Sequence, residues 1–135
     1  MLEQDRAAVQ EGLQEGGTLA QAVRRRVGDY RERDRRQPAR AALRVAAAAD
    51  RGLALLDVAD SRANAEALLP AVQELTGRDD PEALLRSLVL ITHLAENTVH
   101  LASLLNDPEE RRLLVEDFVQ MVARTLEHPA DRVAE

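Results

Sequence analysis

The amino-acid sequence predicts an all-α fold, a helical bundle of four core helices plus an arginine-rich amphipathic N-terminal helix. Of its 135 residues only one is tyrosine, one is phenylalanine and none is tryptophan, so aromatic strand formers are nearly absent. Alanine, leucine, arginine and glutamate, which favour helices, are abundant instead. Prolines and glycines occur where helices would begin or end. We assign residues 18–135 to a single helical domain.

The N-terminal region divides at a glycine pair. Residues 1–17 offer few apolar side chains to bury, so we expect a weakly ordered segment with at most a weak helix at 3–15. Thr18 is a suitable N-cap for a stronger helix at about 18–36. The apolar stripe of that helix consists of Leu19, Val23, Val27 and Tyr30. Because the stripe is narrow, the helix should dock on one surface only.

Four core helices follow, at about 38–60, 62–76, 81–105 and 108–127. Prolines stand at the first helical position of three of them, where their missing N–H is no loss. Gly77 is placed to end the second core helix. Pro70 lies inside that same helix and should kink it or split it.

Charge is divided unevenly along the chain. Residues 24–44 carry nine of the eighteen arginines and three acids, a net charge of +6, whereas residues 45–135 carry eight arginines and seventeen acids, a net charge of −9. A basic helix beside an acidic body needs a counter-charge. We expect that counter-charge on the same chain or on a second copy, which favours a function in protein–protein binding and self-association.

Nucleic acid is the alternative counter-charge for this basic stretch, from Arg24 to Arg44. Arginines can follow a phosphate backbone, although Tyr30 is the only aromatic residue there that could stack on a base. The candidate residues for binding a protein partner or nucleic acid are Arg24, Arg25, Arg26, Arg31, Arg33, Arg35 and Arg36.

Several classes of protein are excluded by composition. The chain has no cysteine, which excludes disulfides, thiolate nucleophiles and cysteine-ligated metals. Its first residues are charged, unlike a secretory signal, and its apolar runs, such as Leu88–Ile91, are far too short to span a membrane. We therefore expect a cytoplasmic protein without a cofactor or membrane contact.

Helix 81–105 is apolar on almost every side, which is typical of the central helix of a bundle. Its polar strip consists of Arg86, His93, Glu96, Asn97 and His100. Imidazole and carboxylate groups suit zinc, iron or manganese, and two aspartates of the first core helix repeat the seven-residue spacing of the histidines. The candidate metal ligands are Asp50, Asp57, His93, Glu96 and His100. The alternative is a solvated strip, or structural ion pairs between helices.

Arg86 and His93 are separated by six residues, a spacing that resembles the Arg-x4–6-His motif of the HEPN superfamily, helical-bundle proteins that include ribonucleases. The resemblance implies an enzyme in which Arg86 steadies the scissile phosphate and His93 acts as acid or base. These two residues are the catalytic candidates. The reading we favour is a small helical interaction or regulatory protein rather than an enzyme.

Overall fold

The computed structural model describes residues 18–127, which form five α-helices and no strand. Helix α1 spans Leu19–Arg36, α2 Pro38–Ala47, α3 Arg51–Thr76, α4 Pro81–Leu104 and α5 Pro108–Glu127. The predicted all-α bundle is confirmed. The expectation of weak order for residues 1–17 falls outside the described residues. None of the five helices is long and apolar enough to cross a membrane.

Helix ends follow the predicted capping residues. The Gln21 N–H donates to the Thr18 hydroxyl at 3.2 Å, and the Thr18 N–H donates to the Gln21 side-chain oxygen at 3.0 Å, which forms a capping box. Gly77 ends α3 in the left-handed region at φ 68°, where glycine is unstrained. Local side-chain chemistry therefore sets these boundaries.

The boundary between the first two core helices was predicted at the wrong place. The chain breaks at residues 48–50, because the Asp50 carboxylate accepts the Leu53 N–H at 3.0 Å and starts α3 there. Ser61, where the sequence suggested a boundary, lies buried inside α3. The predicted helices 38–60 and 62–76 are thus a short α2 and a long α3.

Helix α3 also runs through Pro70 without a break, so the predicted split is wrong. A proline inside a helix costs about 3 kcal/mol because it removes a hydrogen bond and crowds the preceding turn. On both sides of it, Leu68, Leu69 and Val72 pack on the hydrophobic core. Burial of these side chains offsets the local cost.

Helix α4 occupies the centre of the bundle. It packs against α3 and α5, while α1 lies across α5 and α4, and α2 contacts α3 and α1. Leu84 of α4 and Val119 of α5 are fully buried. The α1 stripe joins the same core, with Val27 and Tyr30 almost completely buried. The arginine-rich helix is therefore an integral part of the bundle.

Candidate functional site

A direct ion pair joins the basic α1 to the acidic body. The Arg24 guanidinium donates to both carboxylate oxygens of Glu116 on α5, from Nε at 2.9 Å and from a terminal nitrogen at 2.5 Å. These hydrogen bonds lower the pKa of Glu116 to about 2. Both side chains remain partly exposed. Solvent therefore screens the pair, and it contributes little to the stability of the fold despite its favourable hydrogen-bond geometry.

A second arginine makes a more sheltered contact between helices. Arg44 of α2 donates to both oxygens of Asp34 on α1, at 3.0 and 3.1 Å, and its Nε lies 3.2 Å from Glu96 of α4. Each of the three side chains is less than a fifth exposed. Burial raises the pKa of Glu96, and the charge of Arg44 opposes that rise. Arg44 thus ties three helices together.

The other candidate arginines of α1 contact side chains of their own helix or are exposed to solvent. Arg26 lies over the Tyr30 ring, 4.8 Å from its centre, and Arg33 lies 5.6 Å from the same centre. Arg36 and Arg35 pair with Glu32 of their own helix, at 3.1 and 3.6 Å. The exposed members of the set are Arg24, Arg25, Arg31, Arg35 and Arg36.

The polar strip of α4 makes structural contacts to α3. His93 Nδ1 lies 3.3 Å from the Ser61 hydroxyl and 3.7 Å from a carboxylate oxygen of Asp57. The expected meeting of an aspartate with a histidine therefore occurs. The neighbouring Thr92 hydroxyl donates to the Ser61 carbonyl oxygen at 3.2 Å, which joins the same two helices, and it also lies 3.0 Å from the Val89 carbonyl oxygen of its own helix.

The five candidate metal ligands are not gathered into one site. Asp50 caps α3, Glu96 pairs with Arg44, and His100 lines an opening beside α1 and α5, whereas His93 contacts Ser61 of α3. Within residues 18–127, no group of three or more His, Asp or Glu side chains is arranged to hold a metal ion. Arg86, the partner of His93 in the catalytic candidate pair, is exposed on α4.

An apolar cavity of about 80 Å³, partly open to solvent, lies between α1, α3, α4 and α5. Its lining includes Leu19, Val23, Leu68, Leu88, Ala95, Phe118 and Val122. Among residues 18–127, polar side chains enter the lining only at Arg26, Tyr30 and Thr92. The Tyr30 hydroxyl accepts from Arg26 at 3.4 Å, and burial raises its pKa. The lining of the cavity is therefore mostly apolar, with a few polar side chains.

The outer side of α4 carries a row of leucines that the bundle does not cover. Leu90, Leu94, Leu101 and Leu104, which we call the outer leucine face, are between 40% and 64% exposed. With Asn97 they follow an alternating spacing of four and three residues, the pattern of a coiled-coil seam. Helix α4 is therefore apolar on almost every side and central, but the bundle leaves this face uncovered.

Comparison with known proteins identifies the family of this chain. A family model described as "Tetracyclin repressor-like, C-terminal domain" matches residues 17–130. The chain belongs to this family. Tetracyclin repressor-like C-terminal domains are typically the ligand-binding and dimerisation domains of regulators. No curated protein and no solved structure matches the chain significantly.

Membership of this all-helical family supports a regulatory protein. The matched family is not the HEPN superfamily, which Arg86 and His93 resemble in their spacing. Sequence reasoning missed the outer leucine face, although the heptad spacing through Asn97 would have revealed it. It also missed the role of Arg44 and Glu116 as contacts between helices, because spacing along the chain does not show which distant residues meet.

Proposed function

We propose that this chain is the ligand-responsive, self-associating domain of a regulator, and that two copies pair through the outer leucine face. The row of exposed leucines on α4 is the observation that carries the proposal. Regulators of the family usually dimerise through such domains. A second copy of the same helix offers the same leucines, so the surface is complementary to itself.

The spacing of the outer leucine face favours a helix as the occupant. Leu90 to Leu104 spans about 21 Å of helix, and side chains at alternating intervals of four and three residues interlock with a matching helix. The exposed leucines and valines of α2 and the start of α3 lack such a continuous row, since the helix break at residues 48–50 interrupts them. They therefore serve as a comparison surface.

The apolar cavity supports a small, largely apolar ligand. Its volume of about 80 Å³ is below the roughly 150 Å³ of an engineered cavity that holds benzene. A ligand as large as benzene therefore requires the surrounding helices to move apart, and α1 contributes one wall of the cavity. Binding that moves helices gives a regulator a means of reporting the ligand.

Nucleic acid is the remaining target, since domains of this family usually sit in DNA-binding regulators. Direct binding through the stretch from Arg24 to Arg44 is less well supported. Arg24 and Arg44 engage carboxylates of this chain, and Arg26 engages Tyr30. These contacts compete with a phosphate backbone for the guanidinium groups.

Self-association is tested by sedimentation equilibrium on the wild type, on a Leu94→Glu/Leu101→Glu variant and on a Leu55→Glu control. Leu55 is as exposed as the leucines of the outer leucine face but lies on α3. We expect a wild-type dimer, a monomeric double variant with unchanged helical circular dichroism, and a control that still dimerises. A monomeric wild type, or a dimer broken only by Leu55→Glu, would rule out the outer leucine face.

Ligand binding is tested with benzene as the probe, by the change in melting temperature. Ala95→Leu fills the cavity, whereas Ala59→Leu adds the same atoms to an exposed position on α3. We expect benzene to stabilise the wild type and the Ala59→Leu control but not Ala95→Leu. Equal stabilisation of all three proteins would place the benzene elsewhere and contradict a ligand in this cavity.

A further inference from the structure

A second opening, which we call the arginine groove, lies at the end of the bundle where α1, α4 and α5 meet. Its volume is about 610 Å³. Among its lining residues are Arg31, Arg35, Val99, His100 and Arg111, with Pro38 at the start of α2. It shares no lining residue with the apolar cavity. The groove is therefore a separate place on the molecule, and its chemistry is different.

Two carboxylates also line the arginine groove, but both are engaged by other arginines. Asp34 receives two hydrogen bonds from Arg44. Glu32 pairs with Arg36 at 3.1 Å and with Arg35 at 3.6 Å. Each acid is thus committed to a cation other than Arg31 or Arg111.

Arg31 and Arg111 approach the groove from different helices, α1 and α5. Within the described part of the chain, neither forms an ion pair. Arg31 is exposed, whereas Arg111 is half-buried, and its Nε is shielded from solvent without a hydrogen-bond acceptor. A shielded donor without an acceptor is costly, and such groups in proteins call for an explanation.

We propose that the arginine groove binds a small organic oxyanion, through a phosphate or carboxylate group placed between Arg31 and Arg111. Guanidinium groups bind both kinds of oxyanion with paired hydrogen bonds. His100 adds a ring nitrogen on the α4 side, and Val99 and Pro38 offer apolar contact to a carbon skeleton. The ligand would supply an anionic partner to Arg31 and Arg111, which form no ion pair within the described part of the chain.

The proposal does not depend on the regulatory function inferred above, because the groove and the apolar cavity have no residue in common. It also differs from the general attraction of a basic helix for nucleic acid. The two cations come from separate helices and face one concave space, and Arg111 lies outside the basic stretch altogether. Such an arrangement favours a compact anion over an extended backbone.

The test is isothermal titration calorimetry at constant ionic strength, with inorganic phosphate and succinate as separate probes. The proteins are the wild type, Arg31→Gln, Arg111→Gln and an Arg124→Gln control, which removes an exposed arginine of α5 outside the groove. We expect at least one probe to bind the wild type and the control equally. Each groove variant should bind it about tenfold more weakly or worse, as for loss of a charged hydrogen bond.

Binding of phosphate alone assigns a phosphorylated ligand, and binding of succinate alone assigns a carboxylate. Amide shifts in the nuclear magnetic resonance spectrum of the wild-type protein provide a reading that needs no variant. Titration should shift Val99 and His100 ahead of residues in the apolar cavity. Failure of both probes to bind, equal weakening by Arg124→Gln, or shifts confined to other residues would overturn the proposal. So would binding of duplex DNA through Arg31 and Arg111 when neither small anion binds.

Discussion

The two apolar faces of α4 are similar in composition and opposite in environment. On the inner face Leu84 and Leu88 are at most 2% exposed, whereas on the outer face Leu90 and Leu104 are about 60% exposed. Both rows repeat at helical intervals, so periodicity along the chain does not distinguish them. An apolar helix face therefore indicates that some surface packs on it, and that surface need not belong to the same chain.

The inner face should dominate the stability of the folded chain. We expect Leu84→Ala to lower the free energy of unfolding by about 3 to 4 kcal/mol, because it leaves a cavity in the fully buried core. Urea denaturation followed by circular dichroism measures the loss. A decrease below about 1 kcal/mol would mean that the core around Leu84 collapses to fill the space.

The ion pairs that Arg44 forms with Asp34 and Glu96 should have the next largest effect on stability. We expect Arg44→Met to lower the free energy of unfolding by about 2 to 3 kcal/mol near neutral pH, since Asp34 and Glu96 lose the cation between them. Arg62→Met is the control, because its partner Glu66 is exposed and the pair is worth little.

The same variant has a predictable pH dependence. Burial raises the pKa of Glu96, so the folded state binds a proton more readily than the unfolded state, and this term disfavours folding as the pH rises through that range. Removing Arg44 strengthens it. The deficit of Arg44→Met should therefore shrink on moving from about pH 7 to about pH 4. A deficit that is constant with pH would contradict this account.

The outer face should show the reverse of Leu84. We expect Leu101→Ala to change the free energy of unfolding of the dilute protein by less than about 0.5 kcal/mol, because its side chain is about half exposed. The dimer proposed here should dissociate more readily, as measured by sedimentation at several concentrations. A large loss of stability at high dilution would show that Leu101 is buried within a single chain.

The exposed ion pair of α1 should have the smallest effect, visible chiefly through pH. The pKa of Glu116 is lowered from 4.5 to about 2, so its stabilising contribution is present above the unfolded value and disappears as the pH falls towards about 2. The difference in stability between the wild type and Arg24→Gln should follow this course. Salt should reduce it at higher pH. A difference that persists unchanged at the acidic end would exclude the Arg24–Glu116 pair as its source.

The candidate site was predictable only in part. The polar strip of α4 and its contact with an aspartate of α3 follow from spacing, since His93 and Asp57 do meet. The separation of Asp50 from that contact does not, because its carboxylate serves the start of α3 instead. An aspartate can cap a helix or face a neighbouring one, and the position of the helix break decides between the two.

The all-α class, most helix ends and the basic character of α1 could be predicted from the amino-acid sequence alone, because they depend on local interactions. Capping and turn residues act on backbone groups three or four residues away, within reach of a pattern. Three features became visible only from the packing of the helices. Arg24 pairs with Glu116, and Arg44 pairs with both Asp34 and Glu96. One side of α4 is left uncovered. These outcomes depend on which helices pack together, and burial and ion pairing between helices are set by distances in space rather than along the chain.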